Sequence, residues 1–129
     1  RSQPQPSPQV RAIVIDLNVD EVLHAPVRLR IMAVLAEIGE QDRISYPRLQ
    51  ELLDITSGNL TSHLRRLEAA GYVAQTKKFV KRTPVTEIRL TRRGRLELET
   101  YVEQLRAFVA RMDENKARTE SAVQHTGIR

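Results

Sequence analysis

The sequence predicts a mainly α fold with a small β-hairpin, an α+β class that ends in a long C-terminal helix. Three observations carry that expectation. Apolar residues recur at helical spacing through several stretches, each bounded by capping or breaking residues. Two runs, "YVAQTKKFV" and "TEIRLT", are rich in β-branched and aromatic residues and lie close enough to pair. The stretch after Thr91 repeats its apolar positions at near-heptad spacing over about 24 residues. A chain of 129 residues suits one domain with one modest core.

The elements follow in order. "RSQPQPSPQ", residues 1–9, has three prolines and no apolar residue, and reads as a disordered tail. "VRAIVIDL" is β-branched and suits a short strand or an extended arm. Asn18 then opens "NVDEVLHA" with Glu21 three residues on, the pattern of a capping box, so a short helix is expected up to Pro26. "PVRLRIMAVLAEIG" begins with Pro26 in the first turn and ends at Gly39. Its Ile31, Val34, Leu35 and Ile38 repeat at i, i+3, i+4 and i+7 and predict a buried stripe. "EQDRISY" is a polar connection with room for a single strand near Ile44. "PRLQELLD" predicts a short helix with Leu49, Leu52 and Leu53 inward.

"DITSGNLTSHLRRLEAAGYV" predicts a second helix of that pair, capped by Thr56. Ile55 before the cap and Leu60 at the fourth helical position form a hydrophobic staple. Leu60, Leu64 and Leu67 face inward, and Gly71 stops the helix. A short helix, a tight turn and a second helix make a helix-turn-helix arrangement. "KRTPV" separates the two strands, and Pro84 argues for an exposed loop or edge there. A basic hairpin directly after such a helix is a wing. Thr91 caps the long helix, whose apolar positions are Leu98, Tyr101, Val102, Leu105, Phe108, Val109 and Met112. The expected organisation is a winged helix-turn-helix domain over residues 10–95, a dimerisation helix over 96–116 and a flexible tail over 117–129.

Charge and polarity address function. The net charge is +5, but residues 61–95 hold ten Lys/Arg against Glu68 and Glu87, while both flanks are slightly negative. A merely solubilising surface interleaves both signs; concentrated positive charge points to a polyanion. The first turn of the second helix carries Ser57, Gly58 and Asn59, which are poor helix formers. Small polar residues at a helix tip let the backbone approach the floor of a DNA major groove and offer donors and acceptors to base edges. Capping accounts for one of these residues, but not for Thr61, Ser62, Arg65 and Arg66 on the same outward side. Lys77, Lys78, Lys81 and Arg82 flank or occupy the hairpin tip, where they suit phosphates or a minor groove. Arg92 and Arg93 oppose the dipole at the start of the long helix, which favours an anionic partner nearby.

Other classes fall away. The chain has no cysteine, hence no disulfide, thiolate zinc site or thiol redox sensor. No apolar run approaches the ~20 residues of a membrane span, and no signal-peptide pattern is visible. No nucleophile–base pair, metal-ligand spacing or phosphate-binding glycine loop appears. Ser62 and His63 are neighbours on one helix and point to different faces, so they form no dyad. Neither an enzyme nor a cofactor or metal site is expected.

The segments "LNVDEVLHAPVRLRIMAVL", "SGNLTSHLRRLEAAGYV" and "KKFVKRTPVTEIRLTRRGR", in that order, resemble bacterial and archaeal winged-helix transcription regulators of the MarR/ArsR-like group. The resemblance runs from about Leu17 to Phe108 and is most specific in the middle segment. It implies a cytoplasmic, nucleoid-associated homodimer with recognition helices in successive major grooves. Carried over, the base-reading positions are Ser57, Asn59, Thr61, Ser62 and Arg65, and the wing contacts are Lys81 and Arg82. Metal-sensing members use Cys/His/Asp clusters, whereas His24, His63 and His125 are scattered here. His63 is expected to pack or to meet a phosphate, and His24 to belong to a helix end. Phenol-binding members use an aromatic-lined cleft, and this chain has five aromatic residues, so no small-molecule effector is inferred.

An apolar seam left in water is a patch that monomers rarely keep. Pairing of Val22, Leu98, Tyr101, Val102, Leu105, Phe108, Val109 and Met112 with a second copy would bury it, although the part near Leu96 and Leu98 is expected to pack on its own domain. Two half-sites one turn apart, ~10 bp, then give a near-palindromic double-stranded DNA operator. The competing reading is a winged-helix protein-interaction adaptor in a larger, transcription-related assembly. It requires apolar outward residues on the second helix or the wing.

Overall fold

The computed structural model describes Pro8 and residues 18–126, with side chains through Ala122. The expectations for the tail 1–9 and the extended stretch 10–17 lie outside the described residues, apart from Pro8. Contacts divide the chain into two units, one formed by Asp20–Tyr101 and the other including Val102–Thr126.

In the first unit the chain enters through a turn rather than the helix expected at Asn18–Ala25. Asp20, not Asn18, holds it: Asp20 Oδ1 accepts the amides of Val22 at 2.7 Å and Leu23 at 3.3 Å. A carboxylate that takes amides two and three residues on competes with helix formation. The His24 amide closes the turn onto the Asp20 carbonyl at 2.9 Å. Leu23 is fully buried beneath it.

Helix α1, Pro26–Ile38, starts with the proline whose missing N–H has no intrahelical partner to lose and ends at Gly39. Its buried residues are Ile31, Met32 and Leu35. The stripe is rotated from the expected one: Met32 is fully buried, Val34 half-buried and Ile38 exposed. Arg28, one turn before Ile31, extends this face, with Nε donating to the Val22 carbonyl at 2.6 Å.

Strand β1, Arg43–Ser45, pairs antiparallel with the later strand and places Ile44 opposite Ile88. Ser45 then caps α2, Tyr46–Leu53, by accepting from the Arg48 amide. Leu49 and Leu53 point inward, but Leu52 is 48% exposed, because an eight-residue helix resting on one face buries positions four apart. Asp54, in the left-handed region at φ 54°, turns the chain, and Arg30 donates to the freed Leu53 carbonyl at 2.9 Å.

Helix α3, Ser57–Ala69, has Thr56 as its cap, with Oγ1 accepting from the Asn59 amide at 3.1 Å. Leu60, Leu64 and Leu67 are fully buried. Gly71, at φ 84°, reverses the chain as expected. Strands β2, Val73–Val80, and β3, Thr83–Leu90, form the hairpin, and the sheet order is β1-β3-β2.

The loop is shorter than expected. Pro84 lies inside β3, and only Lys81 and Arg82 make the turn. The register Val80↔Thr83 next to Phe79↔Pro84 turns the proline nitrogen away from β2, and β1 reaches along β3 only to Glu87. A missing N–H at that edge breaks no sheet bond.

Helix α4, Arg92–Thr126, has 35 residues, against the 24 or so expected. Thr91 caps it, accepting from the Gly94 amide at 3.0 Å. The helix carries on through most of the stretch read as a flexible tail from residue 117. Gly94 is buried against the strand ahead of it. A Cβ there would lie 2.1 Å from the Tyr72 carbonyl oxygen, so this crossing admits only glycine. Tyr72 itself is buried, and its hydroxyl donates to Asp20 Oδ2, tying the entry turn to the start of β2. Burial first, then the Asp20 carboxylate, push its pKa up to about 12. Arg93 lies over its ring at 5.9 Å. That contact gives Arg93 a place in the fold that does not require an anionic partner.

Candidate nucleic-acid interface

The apolar stripe of α3 fixes which side is left outward. With Leu60, Leu64 and Leu67 buried, Ser57, Gly58, Asn59, Thr61, Ser62, Arg65 and Arg66 are exposed. Gly58 stands in open space: a Cβ there would meet nothing within 4 Å. Among the described residues no contact accounts for a residue that weakens the helix at that point.

His63 occupies the border between the two sides. Its Nδ1 lies 3.2 Å from an Arg28 guanidinium nitrogen. Burial first, then the charges of Arg28 and Arg66, lower its pKa, so the ring is neutral at pH 7. It therefore packs against Arg28 and adds no charge to the outward surface.

Tyr46, at the start of α2, reaches across to the front of α3. Its hydroxyl lies 2.7 Å from the Ser57 carbonyl, 3.1 Å from Ser57 Oγ and 2.7 Å from Thr61 Oγ1. The same three residues, with Pro47 and Thr83–Thr86, line an open cleft of about 400 Å³ between α3 and the hairpin. Sequence reasoning placed Tyr46 in a connecting loop and gave it no role. An aromatic hydroxyl eleven residues ahead of a predicted helix start carries no local signal of this contact.

On the hairpin, successive residues face opposite ways. Lys77 and Phe79 share the face of Ile88 and Leu90, while Lys78 and Val80 share that of Glu87. Lys78 Nζ pairs with Glu87 Oε2 at 3.0 Å, and Arg43 approaches the other carboxylate oxygen at 3.7 Å. Glu87 thus offsets part of the positive charge near the sheet. Lys77, Lys81 and Arg82 are exposed, as is Lys78. Lys81 and Arg82 sit at φ 50° and 68°, the left-handed pair that a two-residue hairpin turn needs. Phe79, 74% exposed, and Val80 add an apolar surface beside these cations that the sequence reading missed. Alternation within β2 implied it, since Phe79 lies beyond the last core pair.

The eight residues expected at a dimer interface divide. Tyr101 is 3% exposed and buried in its own unit, where its hydroxyl lies 2.9 Å from His24 Nδ1. Val22 and Leu98 are half-buried, and Leu96, expected to pack on its own domain, is exposed. Further along α4, Val102, Leu105 and Phe108 are half-buried, while Val109 and Met112 are exposed. Among the described residues no group of His, Asp and Glu is arranged to hold a metal ion. Among them, too, no helix is long and apolar enough to cross a membrane.

A helix-turn-helix whose second helix turns a small, polar and cationic side outward, followed at once by a basic hairpin, defines a winged-helix protein. The chain belongs to the winged helix DNA-binding domain family, whose model matches residues 27–109. An uncharacterised protein of Methanocaldococcus jannaschii is 34% identical over 82 residues, covering 64% of this chain and 86% of the relative. A transcriptional regulator homologue from Pyrococcus horikoshii is similar in structure, with a TM-score of 0.69 and 31% identity over 79% of this chain and 98% of that one. A MarR-family regulator structure from Enterococcus faecalis matches with a TM-score of 0.57 and 25% identity, covering 91% and 99% of the two chains. The protein is thus a winged-helix relative of MarR/ArsR-like transcriptional regulators, a DNA-binding and non-catalytic class.

Proposed function

We propose that this chain regulates transcription as a homodimer that recognises a near-palindromic double-stranded DNA sequence. Helix α3 enters the major groove, with Asn59, Ser62 and Arg65 at base edges and Arg66 toward phosphates. The hairpin lies along the backbone or an adjacent minor groove through Lys77, Lys81 and Arg82, with Lys78 held nearer Glu87. The observation that carries this reading is Gly58, a helix-weakening residue in open space between exposed hydrogen-bonding neighbours. A groove floor that must come close to the backbone supplies the reason for it. The second copy packs along α4 through Val102, Leu105, Phe108, Val109 and Met112, with Tyr101 supporting the seam from within its own unit.

The adaptor reading draws on one observation, the exposed Phe79 and Val80. The cations beside them and the polar front of α3 favour nucleic acid. Ionic strength separates the two. A protein that neutralises about six phosphates loses roughly 10³-fold in affinity between about 50 and 200 mM salt, because each contact releases counterions. Binding to mixed-sequence duplex should follow that trend, and Arg65→Ala should lose preference among sequences while keeping the salt dependence. Salt-insensitive binding, or an Arg65→Ala variant with the parent's preferences, contradicts the proposal.

A further inference from the structure

The contacts of Tyr46 fix where three protons lie. A phenol hydroxyl has one proton to donate and two lone pairs to accept with. The Ser57 carbonyl, 2.7 Å away, can only accept, so Tyr46 donates to it. Ser57 Oγ at 3.1 Å and Thr61 Oγ1 at 2.7 Å must then donate to Tyr46 Oη, filling its two acceptor positions. Each of those hydroxyls has a single proton, and it is directed at Tyr46. What Ser57 and Thr61 present to the exposed side is lone pairs alone.

We infer that Ser57 and Thr61 read DNA as hydrogen-bond acceptors, and that Tyr46 thereby sets which bases they favour. The inference rests on the DNA-binding reading and adds a specificity to it. In the major groove the donors are the amino groups, N6 of adenine and N4 of cytosine. Guanine offers O6 and N7 and thymine offers O4, all acceptors, which would meet oxygen lone pairs and be repelled. In this groove every base pair presents one amino group, so the preference is for the strand on which it lies: A or C, rather than G or T, at the base facing these hydroxyls. Phosphate oxygens are disfavoured for the same reason, which leaves backbone contact to the cations. Tyr46 acts through α3 and is a positioning residue.

The test uses duplexes carrying all four bases at each position of a half-site, titrated with the parent, Tyr46→Phe and Thr61→Val. A hydrogen bond of about 1 kcal/mol corresponds to about a fivefold preference. The parent should favour A or C by about that factor at one position of each half-site. Thr61→Val removes the acceptor, and Tyr46→Phe frees the hydroxyl protons so that G and T become acceptable; both should flatten the profile at that position. A purely structural role for Tyr46 would weaken all duplexes in parallel and flatten none. That result, or a parent with no amino preference at the position Thr61→Val affects, overturns the inference. A parent that binds no duplex overturns the DNA-binding reading and this inference with it.

Discussion

A methyl group added at Gly94 would lie 2.1 Å from the Tyr72 carbonyl oxygen, whereas one added at Gly58 would meet nothing within 4 Å. The fold therefore needs glycine at the first site and tolerates a side chain at the second. Gly94→Ala forces α4 off the strand and should destabilise the protein by about 1–3 kcal/mol in denaturant unfolding. Gly58→Ala should stabilise it by about 0.5–1 kcal/mol, because alanine loses less backbone entropy in a helix. The same substitution places a methyl where we propose the groove floor lies, so duplex affinity should fall even as stability rises. A Gly58→Ala variant that gains stability and binds DNA as tightly as the parent would remove the main support for groove entry. At this scale the sequence revealed the unusual glycine but not the contact of Tyr46, since that contact joins α2 to α3 through space.

Among the elements, those specified by local chemistry were legible and those settled by competition were not. The Thr56 cap, the Leu60–Leu64–Leu67 stripe and the Gly71 stop agree with one another, and α3 lies where they place it. The Asn18 capping box lost to Asp20, whose carboxylate took the amides of Val22 and Leu23 and closed a turn two residues further on. For Pro84 the sequence leaves both an exposed loop and an edge open, because its tolerance in a strand depends on register, which only the hairpin pairing sets. The end of α4 lacks an apolar stripe, yet an exposed helix of good formers such as Arg118, Glu120 and Ala122 requires none. The hairpin turn carries its own prediction. Lys81 and Arg82 hold left-handed backbone that costs of order 1 kcal/mol or more for residues with side chains. Asn and Gly suit that turn best. Lys81→Asn with Arg82→Gly should raise the melting temperature while weakening binding to all duplexes and reducing the salt slope by about two contacts. An unchanged slope would take the turn out of the interface.

Over the whole molecule, charge and symmetry have to act together. The positive excess confined to residues 61–95 falls on α3, the hairpin and the first turn of α4, all within the unit Asp20–Tyr101. The exposed Val109 and Met112 lie on α4 beyond it. The placing of charges along the sequence made their segregation legible, but not that Tyr101 would leave the seam for a buried contact with His24, because heptad spacing is blind to which face its own domain covers. One module reading a few base pairs discriminates poorly against the excess of competing sites, and two modules related by a twofold axis multiply that discrimination. The most direct measurement is selection of bound duplexes from a random pool. The account predicts an enriched motif with twofold symmetry and half-sites about 10 bp apart. A pool that stays random after selection, or protein that retains no duplex at low salt, would contradict it.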